Sequence, residues 1–198
     1  MSKGAGDMIT RTEIEDLFRP QLQRIENEEL RRKVVDTWLL ACKRGNWNSI
    51  ADVRKMPFTL LVDAEGISFI QHTIAVTEGA VALAEAQHRA YDKMPYRVDM
   101  DRLIAGGLVH DVGKLLEIEP DGQGRYRMSH TGRCARHPIS GAWLAAVVGL
   151  PEEVINIIAC HSKEGDGQPQ VVETLFIHHA DFAAFDPLAV RQTARLIE

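Results

Sequence analysis

The residues of this sequence best suited to chemistry are its histidines, several of which stand beside carboxylates in apolar segments. His110 and Asp111 are adjacent in a mostly apolar segment that runs from Leu103 to Leu116. An unpaired charge there would be costly to bury, so these two side chains need a partner. Neutral imidazole and carboxylate together suit Zn, Fe, Mn or Co better than Ca, which favours a metal ion. A buried His–Asp hydrogen-bonded pair is the alternative for this dipeptide alone.

Further candidate ligands follow at wide intervals along the chain. Adjacent residues on a helix point about 100° apart, so His110 and Asp111 clasp one ion only if other helices supply ligands. Each interval between candidates is long enough for one helix and a loop, which places the ligands on successive helices. In chain order such side chains include His72, His110, Asp111, His137, His161 and Asp181, a series that a family resemblance selects as the candidate metal ligands.

This ordered series resembles the metal ligands of the HD superfamily, which is named for its paired His and Asp. The local sequences His110-Asp111-Val112-Gly113-Lys114 and His137-Pro138-x-x-Gly141-Ala142 are similar to patterns of that family, as is the helix that follows His72. The resemblance covers residues 68–186. It implies one ion held by His72, His110, Asp111 and Asp181, and a second ion held by His137 and His161 with Asp111 as the bridge.

The same resemblance limits the cofactor and the substrate. It implies two divalent ions, with Mn or Fe expected first and Co, Zn or Ni also suitable, since members with one metal lack the middle histidine pair. After His161 the chain reads Ser162-Lys163-Glu164, which departs from the His-His-Glu and Gly-Tyr-Pro sequences of the cyclic-dinucleotide phosphodiesterases. The Glu-Asp pair of the alarmone hydrolases is not evident either. Neither of these two substrate classes is expected.

Basic residues near the ligands indicate an anionic substrate. Lys114 follows His110 and Asp111 at helical spacing, so we assign Asp111 and Lys114 to catalysis and Lys114 also to substrate binding. No Asp or Glu lies between Gly122 and Pro151, whereas Arg125, Arg127, Arg133 and Arg136 do. This stretch predicts a wall that receives an anion, with Arg133 as the first contact and His130 and His178 as further ones. Solvated surface side chains are the alternative for Lys114 and for the arginines.

Hydrolysis is the reaction that such a site favours. Two ions joined by a carboxylate share a water whose pKa has fallen enough to make it a nucleophile, and the superfamily's commonest substrates are phosphate esters. His130, His178 and Lys114 are candidates for the general acid. Three alternatives share the same ligands: a hydrolase that opens a cyclic diketone, a diiron oxygenase resembling myo-inositol oxygenase, and a metal-dependent sensor or binding module without turnover.

The elements that carry these side chains are predicted to be helices. We expect an all-α HD-type helical bundle with extra N-terminal helices and one short β-ribbon near 115–128, where a Pro-Asp-Gly-Gln-Gly turn divides two short segments. Asp99 suits the N-cap of the helix that carries the His-Asp pair. The chain is expected to form a single domain over 1–198. Its parts are an N-terminal packing layer over 1–66, a metal-binding core over 67–186 and a C-terminal helix over 187–198.

The composition of the sequence argues against several other classes of protein. The sequence of 198 residues has a globular composition, with 45% hydrophobic residues, and its longest apolar stretch is far shorter than the ~20 residues that span a bilayer. Three cysteines without a C-x-x-C pair argue against disulfides and predict a reducing, cytoplasmic location. A net charge of -5 makes a nucleic-acid partner improbable, so a small anionic molecule is expected, with no membrane partner. No feature of the sequence assigns an oligomeric state.

Overall fold

Helices account for most of the fold, which a computed structural model describes over residues 8–197. The all-α prediction is confirmed, with one two-stranded ribbon. Residues 1–7 of the predicted packing layer and residue 198 of the predicted C-terminal helix lie outside the described range. The elements are α1 (Arg11–Leu17), α2 (Arg19–Leu22), α3 (Glu28–Arg44), α4 (Ile50–Val53), α5 (Phe69–Ala90), α6 (Met100–Val109), α7 (Lys114–Glu117), β1 (Ile118–Pro120), β2 (Tyr126–Met128), α8 (His130–Cys134), α9 (His137–Val148), α10 (Glu152–Cys160) and α11 (Val172–Gln192), with a 3-10 turn at Lys163–Gly165.

Side-chain caps fix where the two helices nearest the candidate ligands begin. Ser68 caps α5 by accepting from the backbone N–H of Gln71, whose side chain accepts in return from the N–H of Ser68. Asp99 caps α6 by accepting from the backbone N–H of Arg102, as the sequence predicts. These caps set the register of His72 on α5 and of the turn that follows α6.

Helix α6 lies at the centre of the bundle, where it packs against α3, α5, α10 and α11. All its residues from Leu103 to Val109 are buried. On its outer side Trp38 of α3 is fully buried, and its indole N–H donates to the carbonyl of Leu108 at 2.9 Å. The N-terminal helices therefore support the end of α6 that leads into the His-Asp pair.

The predicted ribbon is confirmed by the antiparallel pairing of β1 with β2. Ile118 lies opposite Met128, and Pro120 lies opposite Tyr126. Gly122 and Gly124 have φ values of 78° and 84° in the connecting turn, a conformation that glycine adopts without steric cost.

Two predicted helix boundaries are wrong. The helix that begins after Asp99 is predicted to carry the His-Asp pair, but it ends at Val109, and a tight turn over 110–113 separates it from α7. The sequence also predicts a separate C-terminal helix over 187–198. Proline within a helix removes a backbone hydrogen bond and disfavours a helical residue before it. Instead α11 continues through Pro187 to Gln192, supported by its long contact with α5.

Over the described residues no helix is both long and apolar enough to cross a bilayer.

Candidate metal centre

Five separate parts of the bundle deliver the six predicted metal ligands to one place. His72 lies on α5, His110 and Asp111 form the turn that follows α6, and the others lie at the start of α9, at the end of α10 and on α11. Gly113 permits this turn to meet α9, because a Cβ at that position would lie 2.2 Å from the carbonyl oxygen of His137. The close approach brings His137 to Asp111.

The ligand atoms form two groups that share Asp111. Within each group, one donor atom per residue lies within 4.8 Å of the others. The first group comprises His72, His110, Asp111 and Asp181, and the second comprises Asp111, His137 and His161. The geometry can therefore hold metal, in the two sets that the sequence predicts.

Each carboxylate oxygen of Asp111 faces a different group. Its Oδ2 lies 3.2 Å from Nε2 of His72 and 3.3 Å from Nε2 of His110. Its Oδ1 lies 3.2 Å from Nε2 of His137 and 3.5 Å from Nε2 of His161. This is the arrangement that a carboxylate bridging two cations requires.

Four of these polar atoms are buried and make no hydrogen bond in the described chain: Nε2 of His72, His110 and His161, and Oδ1 of Asp111. Buried nitrogen and oxygen atoms without partners are rare in folded proteins because their desolvation is uncompensated. Imidazole nitrogens and a carboxylate are also the donors that first-row divalent metals prefer. The residues present therefore fit a metal centre.

The hydrogen bonds of the imidazole rings leave the Nε2 atoms free for a metal. Nδ1 of His110 lies 2.7 Å from the carbonyl of Gly107, and Nδ1 of His161 lies 2.9 Å from the carbonyl of Ile158. A carbonyl only accepts, so Nδ1 carries the proton in both rings and Nε2 carries the lone pair. Such outer hydrogen bonds are a usual feature of metal-binding histidines.

Glu117 is a functional candidate that the sequence analysis missed. Its carboxylate accepts from the backbone N–H of His137 at 2.6 Å and lies 3.1 Å from Nδ1 of the same ring. Nε of Arg136 also donates to both of its oxygens. The sequence feature that could have identified Glu117 is its position as a carboxylate within the apolar run 115–118.

Electrostatic interactions within the centre are strong. Burial alone raises the pKa of Asp111, but Lys114 and the nearby histidines outweigh it and hold this pKa well below its usual value. Nζ of Lys114 donates to Oδ2 of Asp111 at 2.5 Å. Burial lowers the pKa of His137, whereas in His72 the carboxylates of Asp111 and Asp181 outweigh burial and raise the pKa. Burial opposes ionisation of Glu117, but His137 and Arg136 keep its pKa low.

A pocket of about 430 Å³ opens beside the centre. Asp181, His137 and Lys114 all line it, so it reaches both ligand groups. Arg136 and Lys163 contribute further positive charge to its wall. The predicted packing layer also contributes, through residues 58–61.

The predicted substrate contacts other than Lys114 lie outside this wall. Arg133 is exposed and donates to the carbonyl of Met128 at 3.3 Å, and His130 is exposed beside Cys134. Nδ1 of His178 donates to the carbonyl of His161 at 2.7 Å, which places His178 behind a ligand. Arg133, His130 and His178 therefore stay predictions without support from the pocket.

The arginine-rich stretch is less positive in the fold than in the sequence. Across the ribbon Arg127 pairs with Glu119 at 2.9 Å, and Arg125 pairs with Asp121 at 3.1 Å. Together with the pair between Arg136 and Glu117, these ion pairs neutralise three of the four arginines of the predicted anion-receiving wall. Of its four arginines, only Arg136 lines the pocket.

Comparison with known proteins gives one family and two curated relatives. Residues 69–184 match the HD domain. The chain is similar to Ribonuclease Y of Pseudothermotoga lettingae, with 31% identity over 129 residues, and to Ribonuclease Y of Desulforudis audaxviator, with 33% identity over 129 residues. Each match covers 65% of this chain but only 21% and 20% of the relative, so the chain spans about a fifth of their length. No solved structure matches.

Proposed function

We propose that this chain, which belongs to the HD domain family, is a divalent-metal-dependent hydrolase that acts on a small anionic phosphate ester. Membership of the family confirms the resemblance drawn from residues 68–186. The observation that carries the proposal is the buried Asp111 carboxylate, whose two oxygens face separate groups of imidazole nitrogens. The orphaned Nε2 atoms in those groups support metal binding.

The proposal assigns two ions to the two ligand groups. His72, His110, Asp111 and Asp181 would hold one, and His137 and His161 would hold the other with Asp111 shared. Mn or Fe is expected first, and Co, Zn or Ni also suits these donors. When bound, such a pair lowers the pKa of a coordinated water and polarises a phosphoryl oxygen.

The chain's own groups would bind and orient the phosphate. Lys114 and Arg136 bring positive charge to the pocket on the side of the metal centre. An arginine suits the two oxygens of a phosphate, and a lysine acts there as a compact point charge. Of the three candidate general acids, only Lys114 lines the pocket. We therefore assign to Lys114 the role of stabilising the negative charge that develops on the leaving group.

Cleavage of RNA is a second candidate function. The Ribonuclease Y relatives favour it, over a match that includes about a fifth of their length. The net charge of -5 and the small pocket volume favour a small substrate instead. Both candidates use the same phosphoester chemistry, so a direct comparison of substrates separates them.

The test begins with metal analysis of protein purified without added metal. The protein is then loaded with Mn, Co or Fe and incubated under argon with p-nitrophenyl phosphate or with single-stranded RNA. The proposal expects metal-dependent release from the monoester, abolished by Asp111→Ala, and slower cleavage of RNA. Faster cleavage of RNA would establish the second candidate. Oxygen consumption by the iron-loaded protein in air, with no phosphate release under argon, would overturn both in favour of an oxygenase.

A further inference from the structure

We infer that the pocket selects phosphate esters that carry a flat apolar group, and that Phe182 and Phe185 determine this specificity. The inference rests on the proposed function, since it assigns the phosphate to the metal side of the pocket. Its basis is the division of the pocket into two chemically different walls.

The wall beside the metal centre carries the basic side chains of the pocket, which lie among the carboxylates of Glu117, Glu164 and Asp181. Nζ of Lys114 is held by Asp111, and the guanidinium of Arg136 is held by Glu117, so both charges have fixed positions. Lys163 also lines this wall, and within residues 8–197 it forms no ion pair with an acidic side chain. An anionic group entering the pocket therefore meets one cation, Lys163, that has no direct ion pair in the described chain and lies next to Glu164 on the same wall.

The opposite wall is apolar and aromatic. Phe182 and Phe185 lie three residues apart on α11, on the face that follows Asp181, and both are half-buried at the pocket. Phe58 is buried beneath them, with its ring edge-on to Phe185 at 6.4 Å and stacked on His72 at 4.4 Å. This wall is thus anchored directly to a ligand of the metal centre.

The apolar wall continues to the mouth of the pocket. Leu60 and Leu61 line it, and Leu61 is 71% exposed. Contact with water at such side chains is unfavourable, so an apolar group of a ligand gains free energy by covering them. The loop that carries them is tied down, because Gln192 of α11 exchanges two hydrogen bonds with the backbone of Asp63. The wall is therefore formed before any ligand binds.

Apart from the exposed carboxylate of Asp186, hydrogen-bonding groups are scarce on this side. The hydroxyl of Thr59 already accepts from the backbone N–H of Leu61 at 3.1 Å. A sugar or polyol would have to leave water and replace only part of its hydrogen bonds, which is costly. An aryl group has no such requirement and stacks favourably against phenylalanine rings. A volume of about 430 Å³ is within the range of small-ligand pockets and accommodates an aryl ester.

The test measures binding of two non-hydrolysable probes, phenylphosphonate and methylphosphonate, to the Mn-loaded protein by calorimetry. The wild type is expected to bind phenylphosphonate roughly tenfold more tightly, as an added aromatic contact predicts. Phe182→Ala and Phe185→Ala should each reduce this ratio toward one while the affinity for methylphosphonate is retained. Trp143→Ala, which changes an exposed aromatic residue on α9, should leave the ratio unchanged and serves as the matched control.

Equal binding of the two phosphonates, binding of neither, or an unchanged ratio in both phenylalanine variants would overturn the inference. Phe182→Leu keeps an apolar side chain of similar length and should show an intermediate ratio, which separates loss of the ring from loss of the fold. If the phenyl preference is present but no phosphate ester is hydrolysed, the proposed function fails and the apolar selectivity stands. If alkyl and aryl phosphates are hydrolysed equally well and bind equally, the selectivity fails and the hydrolase stands.

Discussion

Glu117 Oε2 lies 2.6 Å from the backbone nitrogen of His137 and 3.1 Å from Nδ1 of the same residue. An ionised carboxylate only accepts, so Nδ1 carries the ring proton and Nε2 keeps the lone pair. That lone-pair nitrogen is 3.2 Å from Oδ1 of Asp111. Glu117 thus fixes both the rotation and the tautomer of a candidate ligand in the second group.

Glu117→Gln tests this positioning. The glutamine keeps the shape but loses the charge, so the ring of His137 is held less firmly and binds metal less well. Outer-sphere changes of this kind typically weaken metal binding by about 10- to 100-fold. Calorimetric titration with Mn should show that loss of affinity for the ion held by the second group, which contains His137. Glu119→Gln, which removes an exposed carboxylate paired with Arg127 on the ribbon, is the control. Equal titrations for the two variants would remove Glu117 from the centre.

The shared position of Asp111 predicts different metal counts for different ligand variants. His137→Ala and His72→Ala should each reduce the bound metal from two ions per chain toward one, because each removes a ligand from one group only. Asp111→Ala should reduce it toward zero. Elemental analysis of the purified variants measures the count, with exposed His88→Ala as the control. Retention of two ions in Asp111→Ala would place the bridge elsewhere.

Lys114 should stabilise the metal-free protein more than the metal-loaded protein. Its side chain is 12% exposed, and its ammonium neutralises Asp111, which is 1% exposed. Removing one partner of a buried ion pair costs about 3 kcal/mol or more, and a bound cation substitutes for the lost charge. Lys114→Met should therefore lower the Tm of the metal-free protein by roughly 6–12 °C and that of the Mn-loaded protein by much less.

Differential scanning calorimetry with and without EDTA checks this difference. Lys33→Met removes an i,i+4 pair with exposed Glu29 on α3, which is worth only a few tenths of a kcal/mol, and serves as the control. Similar Tm losses in the two metal states of Lys114→Met would show that the pair has only an ordinary packing role.

Arg136 and Arg133 should differ in their effect on substrate binding. Arg136 lines the pocket, whereas Arg133 donates to a ribbon carbonyl outside it. Loss of a charge-assisted hydrogen bond to a phosphate weakens binding by about 10- to 100-fold, so Arg136→Ala should raise KM by that factor. Arg133→Ala should leave KM almost unchanged, with metal content measured in both. A larger effect at Arg133 would restore it as the principal anion contact.

The three cysteines predict a selective alkylation pattern. Cys134 is exposed, whereas Cys42 and Cys160 are buried. Burial raises the pKa of Cys42 from 9.0 to about 12. Iodoacetamide at pH 8 should therefore modify Cys134 alone in the folded protein and all three thiols in guanidinium, as mass spectrometry can show. Rapid labelling of Cys42 under native conditions would contradict the packing of α3.

The raised pKa of Cys42 makes the stability of the fold depend on pH in alkaline solution. Between pH 9 and about 12 the folded state holds a proton on Cys42 that the unfolded state releases. The free energy of unfolding therefore falls as the pH rises through this window. Cys42→Ala should make that fall less steep in urea titrations. An identical slope in wild type and variant would show that this thiol makes no contribution.

The helical class and the ribbon follow from local sequence patterns, whereas the set of candidate ligands also needed the family resemblance. Asp99 caps a helix through its own side chain, and the Pro-Asp-Gly-Gln-Gly turn joins two adjacent strands. The His-Asp pair is informative for a similar reason, because charge in an apolar segment requires a partner wherever that partner comes from.

Contacts between residues that are distant in the sequence depend on the tertiary fold. Glu117 and His137 are 20 residues apart, and their contact depends on how α7 packs against α9. Arg133 and Arg136 are three residues apart, yet the extended backbone of Ala135 ends α8 between them and sends one side chain to the pocket and the other away. Contacts of this kind arise from the packing of whole elements, whose relative placement depends on the sum of many distant contacts and not on any local pattern.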